Sequence, residues 1–321
     1  MRALITGSAG YIGSALCKML YKDNNFILSC DIRDPNHNYY TFHDNNATNN
    51  IFYFNALAEK VIEYNIDTIF HLGASADVTD SMTRPSIYYY NNIGTTSMLI
   101  DCLTGRDWKG RFIFASTAAV YKESDTPVKE HWAKIPPNPY GHSKLVCEEY
   151  LRRVNLVHDI PIAMFRFFNV AGAYEEIGDH HDSPHVLQKL CYSAAETQPF
   201  FIFGNDLKTK DGTCVRDYVH VLDVCRALEH ADKFLQFNKE CYAFNLGTKD
   251  GVTVKELVDT FSKETNIDII TKDAKGRPGD PPYLVADPTL YQEQTKFVYL
   301  YSDIKNIVTT AWNYYRRDYG I

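Results

Sequence analysis

Tyr140 and Lys144 stand four residues apart in Asn138-Pro139-Tyr140-Gly141-His142-Ser143-Lys144. On a helix that spacing puts both side chains on one face, one turn apart. A phenol with a pKa of about 10 is a poor base at neutral pH. A neighbouring cation stabilises the phenolate and lowers that value, so the pair can act as a general base on an alcohol. Thr117, in Ala115-Ser116-Thr117-Ala118-Ala119-Val120-Tyr121, adds a hydroxyl able to hold the same substrate oxygen. By itself the tyrosine–lysine spacing is common on protein surfaces, and the weaker competing reading of Thr117 is a capping hydroxyl. Their weight depends on the elements that would carry them.

The chain opens as strand, glycine turn, helix, strand. Arg2 to Thr6 is β-prone, and Gly7-Ser8-Ala9-Gly10-Tyr11-Ile12-Gly13 supplies three glycines. Ile12, Leu16 and Leu20 then recur at helical spacing, and a second apolar run, Phe26 to Cys30, ends at Asp31. Such a turn lets backbone N–H groups approach a pyrophosphate at a helix N-terminus, and an acid closing the next strand can accept ribose hydroxyls. Asp31 would repel a 2′-phosphate, which favours NAD over NADP, and Arg33 is the counter-signal. An oxidised nicotinamide beside Tyr140 would add a second positive charge favouring the phenolate, as alcohol oxidation needs.

The alternation continues: a helix around Leu57 to Tyr64, a strand Thr68 to Leu72, a helix around Asn91 to Leu103 and a strand Arg111 to Ala115. A helix of about Ser143 to Val157 and a strand Ile162 to Phe167 follow. This pattern predicts an α/β fold with a doubly wound parallel sheet of Rossmann type. The Asn-rich stretch Asn36 to Asn50 reads as a polar loop. After Asn169 the loops lengthen, as in Gly178 to Pro184 and Asp273 to Pro282, around short helices such as Val254 to Glu264. We expect a dinucleotide-binding domain over residues 1–168 and a smaller C-terminal α/β substrate-binding domain over 169–321, with about 215–240 packing back on the first.

The formal net charge of −7 and the absence of a basic block give no case for nucleic acid or an anionic membrane. No apolar run approaches the roughly 20 residues of a membrane helix. The eight cysteines, Cys17, Cys30, Cys102, Cys147, Cys191, Cys214, Cys225 and Cys241, have neither C-x-x-C nor zinc spacing and suit reduced thiols in the cytoplasm. His180, His181, Asp182 and His185 cluster without regular ligand spacing, so we expect no metal.

Taken together, the glycine turn, Asp31, Thr117 and Tyr140/Lys144 resemble the extended short-chain dehydrogenases/reductases. Ile202-Phe203-Gly204-Asn205-Asp206 and Asp211-Gly212-Thr213-Cys214-Val215-Arg216-Asp217-Tyr218-Val219-His220-Val221 narrow the likeness to the nucleotide-sugar members, and most specifically to the UDP-glucose 4-epimerase family. The similarity runs from the first strand nearly to the last residue. It implies a tightly bound NAD held by Gly7, Gly10, Tyr11, Ile12, Gly13, Asp31, Asn50, Ile51, Leu72, Tyr140, Lys144 and Phe168. It implies Thr117, Tyr140 and Lys144 as catalytic residues acting on a UDP-hexose. Within Arg166-Phe167-Phe168-Asn169, Asn169 would contact the sugar diphosphate, and Arg216 and Arg277 would bind its phosphates. Asp280 would bind the uridine ribose, Phe203 and Gly204 would pack the uracil, and Asn91 would line the site. An arginine pair is also what a diphosphate wants on chemical grounds. A homodimer through the helices near Asn92–Leu103 and Ser143–Val157 is implied too.

Several positions depart from the family pattern. Asn50-Ile51 replaces the Asp-Ile or Asp-Leu that contacts adenine, Lys122 replaces a glycine, Ala76 stands for an active-site lysine of some members, and His185 stands where some have Asn. Leu284, or Tyr283 in a register shifted by one, falls beside carbon 2 of the sugar; its intermediate bulk leaves both plain and N-acetylated hexoses open, with uronic-acid sugars a weaker alternative. A nucleotide-sugar 4,6-dehydratase would carry Asp-Glu directly after the threonine, where this chain has Ala118 and Ala119, which cannot transfer protons. A non-catalytic sensor of the same fold would be expected to have lost Tyr140, Lys144 or Thr117.

Overall fold

Six strands, β1 (Arg2–Thr6), β2 (Phe26–Asp31), β3 (Tyr40–His43), β4 (Thr68–His71), β5 (Arg111–Thr117) and β6 (Ile162–Phe167), join strand Cys241–Leu246 in one seven-stranded sheet. The order is β3-β2-β1-β4-β5-β6 and then Cys241–Leu246. The pairings from β3 across to β5 are parallel, with Leu4 opposite Leu28 on one side and Ile69 on the other. Parallel strands covered on both faces need unbroken apolar runs, and the last four residues of β1 and all four of β4 are buried. Helix α1 (Tyr11–Lys22) follows β1, and α2 (Ile51–Glu63) precedes β4. The strand order reverses between β1 and β4, so their carboxyl ends open the crevice in which such sheets bind ligands.

The computed structural model describes residues 1–33, 40–43, 50–180, 183–276 and 281–320. They form two units. The first comprises Met1–Lys122, Ala133–Arg166 and Cys225–Phe244. Its core includes Leu28, Leu57, Val61, Leu99, Phe112 and Leu151, packed under one face of the sheet. The second comprises Glu123–Trp132, Phe167–Val224 and Asn245–Ile321. It is organised on strand Val215–His220, which pairs antiparallel with Gly251–Thr253 and parallel with both Asn169–Ala171 and Tyr283–Leu284. Helices Val186–Ala195, Val254–Thr265 and Ile304–Tyr319 supply Leu190, Phe261, Ile307 and Trp312 to its core. Helix Val254–Thr265 starts at Thr253 because Thr253 and Glu256 form a reciprocal capping box.

Local readings needed four corrections. Tyr40–His43, inside the stretch read as a polar loop, is an edge strand on β2, secured by the Phe42 ring against Tyr53 at 4.9 Å between centroids. Helix α2 begins six residues earlier than expected, because the Asn50 side chain accepts from Phe52 N and caps it. The helix expected from Ser143 starts at Pro139, capped by Asn138 and helped by proline in its first turn. The helix expected from Asn91 begins as a π-turn, Tyr89–Gly94, before Thr95–Thr104 continues as α-helix.

Candidate active site

The nucleotide end lies wholly in the first unit. A cavity of about 320 Å³ is lined by Gly7, Gly10, Asp31, Arg33, Tyr53 and Leu72, with Thr6, Cys30, Ala74, Ser75 and Asn91 among its other walls. Gly7 has a positive φ of 71°, and a Cβ there would lie 2.7 Å from Gly73 N. A Cβ on Gly13 would lie 2.0 Å from Gly7 O, so only glycine lets α1 start this close to the turn. Gly10 is the N-cap of α1 and has no side chain with which to cap it. Tyr11 and Ile12 are the first two residues of that helix, and both are partly exposed.

Asp31 is buried at the end of β2. Its Oδ2 accepts from Ala9 N at 2.9 Å and its Oδ1 from Arg33 N at 2.9 Å. The carboxylate thus braces the glycine turn while still lining the cavity. Arg33, the counter-signal, places Nε 3.8 Å from Asp31 Oδ1 with its side chain largely exposed. Glycines that leave no room for a Cβ, a helix N-terminus whose N-cap is glycine and a carboxylate around one cavity fit the pyrophosphate and ribose of NAD. Asn50 and Ile51 sit at the start of α2, where Asn50 Oδ1 is engaged in capping. Leu72 N bonds Thr6 O at 3.2 Å at the β1–β4 junction.

A buried polar chain runs behind this cavity. His71 Nδ1 meets Thr6 Oγ1 at 2.8 Å, and its Nε2 meets Thr96 Oγ1 at 3.0 Å. Thr96 donates to Asn92 O, which makes it the acceptor for an Nε2–H tautomer. Burial, reinforced by the charge of Lys144, pushes His71 down to about 3, so it is neutral. Asn92 in turn holds Ser75 N and O and the Ser143 hydroxyl. Asn91, beside it on the π-turn, donates to Ser75 Oγ at 3.0 Å. A π-turn adds one residue to the helical repeat, and here it directs Asn91 to the cavity and Asn92 into the core.

The chemical end is built from β5 and helix Pro139–His158. Thr117 closes β5, is 8 % exposed, and accepts from Ala119 N at 3.1 Å, starting a short 3-10 turn at Ala118–Val120. The same hydroxyl is placed to oppose the upward shift of the Tyr140 phenol as a hydrogen-bond partner, so Thr117 both caps and faces the phenol. Gly141 makes that approach possible: a Cβ there would lie 2.2 Å from Ala119 O. Tyr88, edge-on at 6.3 Å between centroids, backs the Tyr140 ring.

Lys144 differs from expectation. Its Nζ donates to Ala115 O at 2.8 Å and lies 4.6 Å over the Phe114 ring. Burial pushes it down to about 8. The Tyr140 phenol is pushed up by burial, and what opposes the shift is the Thr117 hydroxyl, not the lysine. Four-residue spacing put both side chains on one helix, but the backbone carbonyl at the end of β5 captures the ammonium.

In the second unit, Asn169 opens strand Asn169–Ala171, and its buried Nδ2 has no hydrogen-bond partner among the described residues, a donor left for a ligand. Phe168 is buried just before it. Arg216 lies on strand Val215–His220, its Nη1 donating to Val215 O at 2.9 Å, with Leu284 opposite in register. Phe203 ends strand Phe200–Phe203, partly exposed, and Gly204 follows at a φ of 80°. His185 precedes helix Val186–Ala195, its Nδ1 2.7 Å from Asp179 Oδ2 and 2.9 Å from Ser183 Oγ. Arg277 and Asp280 lie outside the described residues, as do His181 and Asp182. Among the described residues no group of three or more His, Cys, Asp or Glu could hold a metal ion. Thr6, Tyr53, Ser75 and Ala74 line the cavity without having been singled out; only the position of Thr6, directly before the glycine turn, gave a signal.

Comparison with known proteins agrees with this geometry. The model of the NAD dependent epimerase/dehydratase family matches residues 3–247. A UDP-glucose 4-epimerase of Rhizobium meliloti is 35% identical over 321 residues, covering 98% of this chain and 97% of its own. The crystal structure of UDP-glucose 4-epimerase from Brucella ovis in complex with NAD superposes with a TM-score of 0.90 at 31% identity, covering 98% of each chain. The structure of the UDP-Glc/GlcNAc 4-epimerase from Campylobacter jejuni gives a TM-score of 0.82 at 33% identity, covering 98% of this chain and 99% of that one. No described helix is long and apolar enough to cross a membrane.

Proposed function

The chain belongs to the NAD dependent epimerase/dehydratase family, and we propose that within it the protein interconverts UDP-glucose and UDP-galactose by inverting carbon 4 of the sugar. The observation that carries this reading is the Thr117–Tyr140 hydroxyl pair at the end of β5, followed by Ala118 and Ala119. It supplies the groups for oxidation and none of the acids for elimination of water. The family's dehydratase chemistry is therefore disfavoured here.

NAD, when bound, supplies the acceptor and then the donor for one hydride at carbon 4 and adds positive charge beside the phenol. Tyr140 Oη takes the proton from the carbon 4 hydroxyl and later returns it. Thr117 orients that hydroxyl. Lys144, whose ammonium is held at Ala115 O, would supply the positive charge that favours the phenolate once NAD is bound. Asn169, Arg216, Arg277 and Asp280 hold the uridine diphosphate, with Phe203 against the uracil and Asn91 and His185 nearer the sugar. A nucleotide held firmly and a hexose held loosely would leave the sugar free to turn and present its other face to the same groups. Leu284, opposite Arg216 on the neighbouring strand, is the position at which we expect tolerance of an N-acetyl group to be set.

We read the protein further as a cytosolic homodimer. All eight cysteines are free and seven are buried, as suits a reducing compartment. The first test is incubation of the purified protein with UDP-galactose without added NAD. Formation of UDP-glucose supports the reading. No conversion of any UDP-hexose, with NAD added back, overturns it. Light scattering at micromolar concentration checks the dimer.

A further inference from the structure

The mechanism above leaves one charged pair unused. Arg166, on β6, and Glu148, on helix Pro139–His158, are 0 % and 1 % exposed. Arg166 Nη2 bonds Glu148 Oε2 at 2.6 Å and Nε bonds Oε1 at 2.9 Å. Glu148 Oε1 also accepts from Ser116 Oγ at 2.6 Å, and Arg166 Nη1 donates to Tyr121 Oη at 2.7 Å. The guanidinium lies 5.0 Å from the centre of the Tyr121 ring.

The partners of this pair mark its place. Ser116 precedes Thr117, Tyr121 follows the turn Ala118–Val120, and Glu148 is one helical turn beyond Lys144. Every segment that carries a reacting group is therefore tied to one buried ion pair. Taking two charges out of water is costly, and an apolar pair of similar volume is often no less stable, so stability alone is a weak reason for the pair. The other thing it supplies is fixed geometry and a fixed negative charge close to Lys144.

We propose that Glu148 and Arg166 are positioning residues: they set the register of helix Pro139–His158 on the end of β5, so that Tyr140 meets Thr117, and they hold a carboxylate one turn below Lys144. The electrostatics run the same way. Burial pushes Lys144 down, and Cys147 and Glu148 oppose it. For Arg166, burial disfavours the charge, but the hydrogen bonds and charge of Glu148 outweigh it and keep the guanidinium ionised. The titratable groups facing Lys144 are Cys147 and Glu148 on its own helix and His71 on β4. Around the pair are Tyr121, Lys134, Arg152 and Cys241.

This inference rests on the reading of Tyr140 and Lys144 as the base and its cation. Glu148→Gln alone leaves a buried guanidinium without its counter-charge and can fail to fold, so the test variant is Glu148→Gln with Arg166→Met. Two quantities are measured on purified protein: kcat against pH for UDP-galactose, and the titration of the Lys144 ammonium by NMR, assigned with Lys144→Met. We expect the alkaline limb of the kcat profile and the lysine titration both to move down by about one pH unit. We expect kcat to fall about tenfold with KM unchanged, and the melting temperature to stay near that of the parent. A rate lowered equally at every pH with an unmoved lysine titration means the pair is structural only and overturns the proposal. If the parent turns over no UDP-hexose, the reading of the substrate fails, and the Lys144 titration alone still decides this inference.

Discussion

Replacing Gly141 by alanine should separate activity from stability. The added Cβ would stand 2.2 Å from Ala119 O, 2.8 Å from Ala119 C and 3.2 Å from Ala119 Cβ. An ordinary carbon–oxygen contact needs at least about 3.2 Å, so helix and turn must separate by about 1 Å. Tyr140 directly precedes Gly141 and Thr117 lies two residues before Ala119, so the contact joins the two segments whose hydroxyls face each other. A misplacement of about 1 Å at a reacting group costs about 10²-fold in rate. Stability is affected far less. Overpacking costs about 1–3 kcal/mol, while alanine in a helix gains about 1 kcal/mol over glycine. The net loss is about 0–2 kcal/mol. The expected result is a folded variant with NAD still bound, because Gly7, Gly10 and Asp31 are untouched, and kcat reduced about 10²-fold. Conversion of UDP-galactose to UDP-glucose, NAD released on denaturation and a urea melt measure the three quantities. A kcat equal to that of the parent in a folded variant would refute the claim that this backbone approach sets the Thr117–Tyr140 contact.

Other substitutions test separate parts of the site. Tyr140→Phe removes the proton acceptor and should lower kcat by at least about 10²-fold while NAD remains bound; parental turnover in that variant would remove Tyr140 from the mechanism. Gly13→Ala puts a Cβ 2.0 Å from Gly7 O, so the protein should purify without NAD, and a parental NAD content would contradict the assignment of the turn. His71 is neutral in the fold, pushed down to about 3 from an ordinary 6.5. Its contribution to stability is complete above pH 6.5 and is lost as pH falls through that window, at about 1.4 kcal/mol per unit. Urea melts at pH 7, 6 and 5 should show this slope, and His71→Gln should lack it; identical slopes for the two proteins would count against the buried neutral imidazole.

The nucleotide end was legible in the sequence because its chemistry is local. Gly7, Gly10, Gly13 and Asp31 lie within one βαβ unit, and their roles follow from turn sterics and the end of a strand. Tyr140 and Thr117 were legible as types and positions, but their hydrogen bond depends on Gly141 packing against Ala119, a contact between elements. The expected pairing of Lys144 with the phenol gave way to the Ala115 carbonyl, which spacing along a helix cannot reveal. β3 was missed because polar neighbours hid a short edge strand whose burial comes from Phe42 meeting Tyr53, a residue of α2.

By itself, the sequence determined the alternation of strands and helices, the phosphate-binding turn, the acid that favours NAD and the residue types able to oxidise an alcohol. Each follows from periodicity or from the side chain's own chemistry. Tertiary structure alone decided which hydroxyl faces Tyr140, where the Lys144 ammonium is held, and that Arg166 and Glu148 meet in the core. Those outcomes depend on close packing between segments far apart in the chain, where a few tenths of an ångström and the loss of water decide which polar groups can pair.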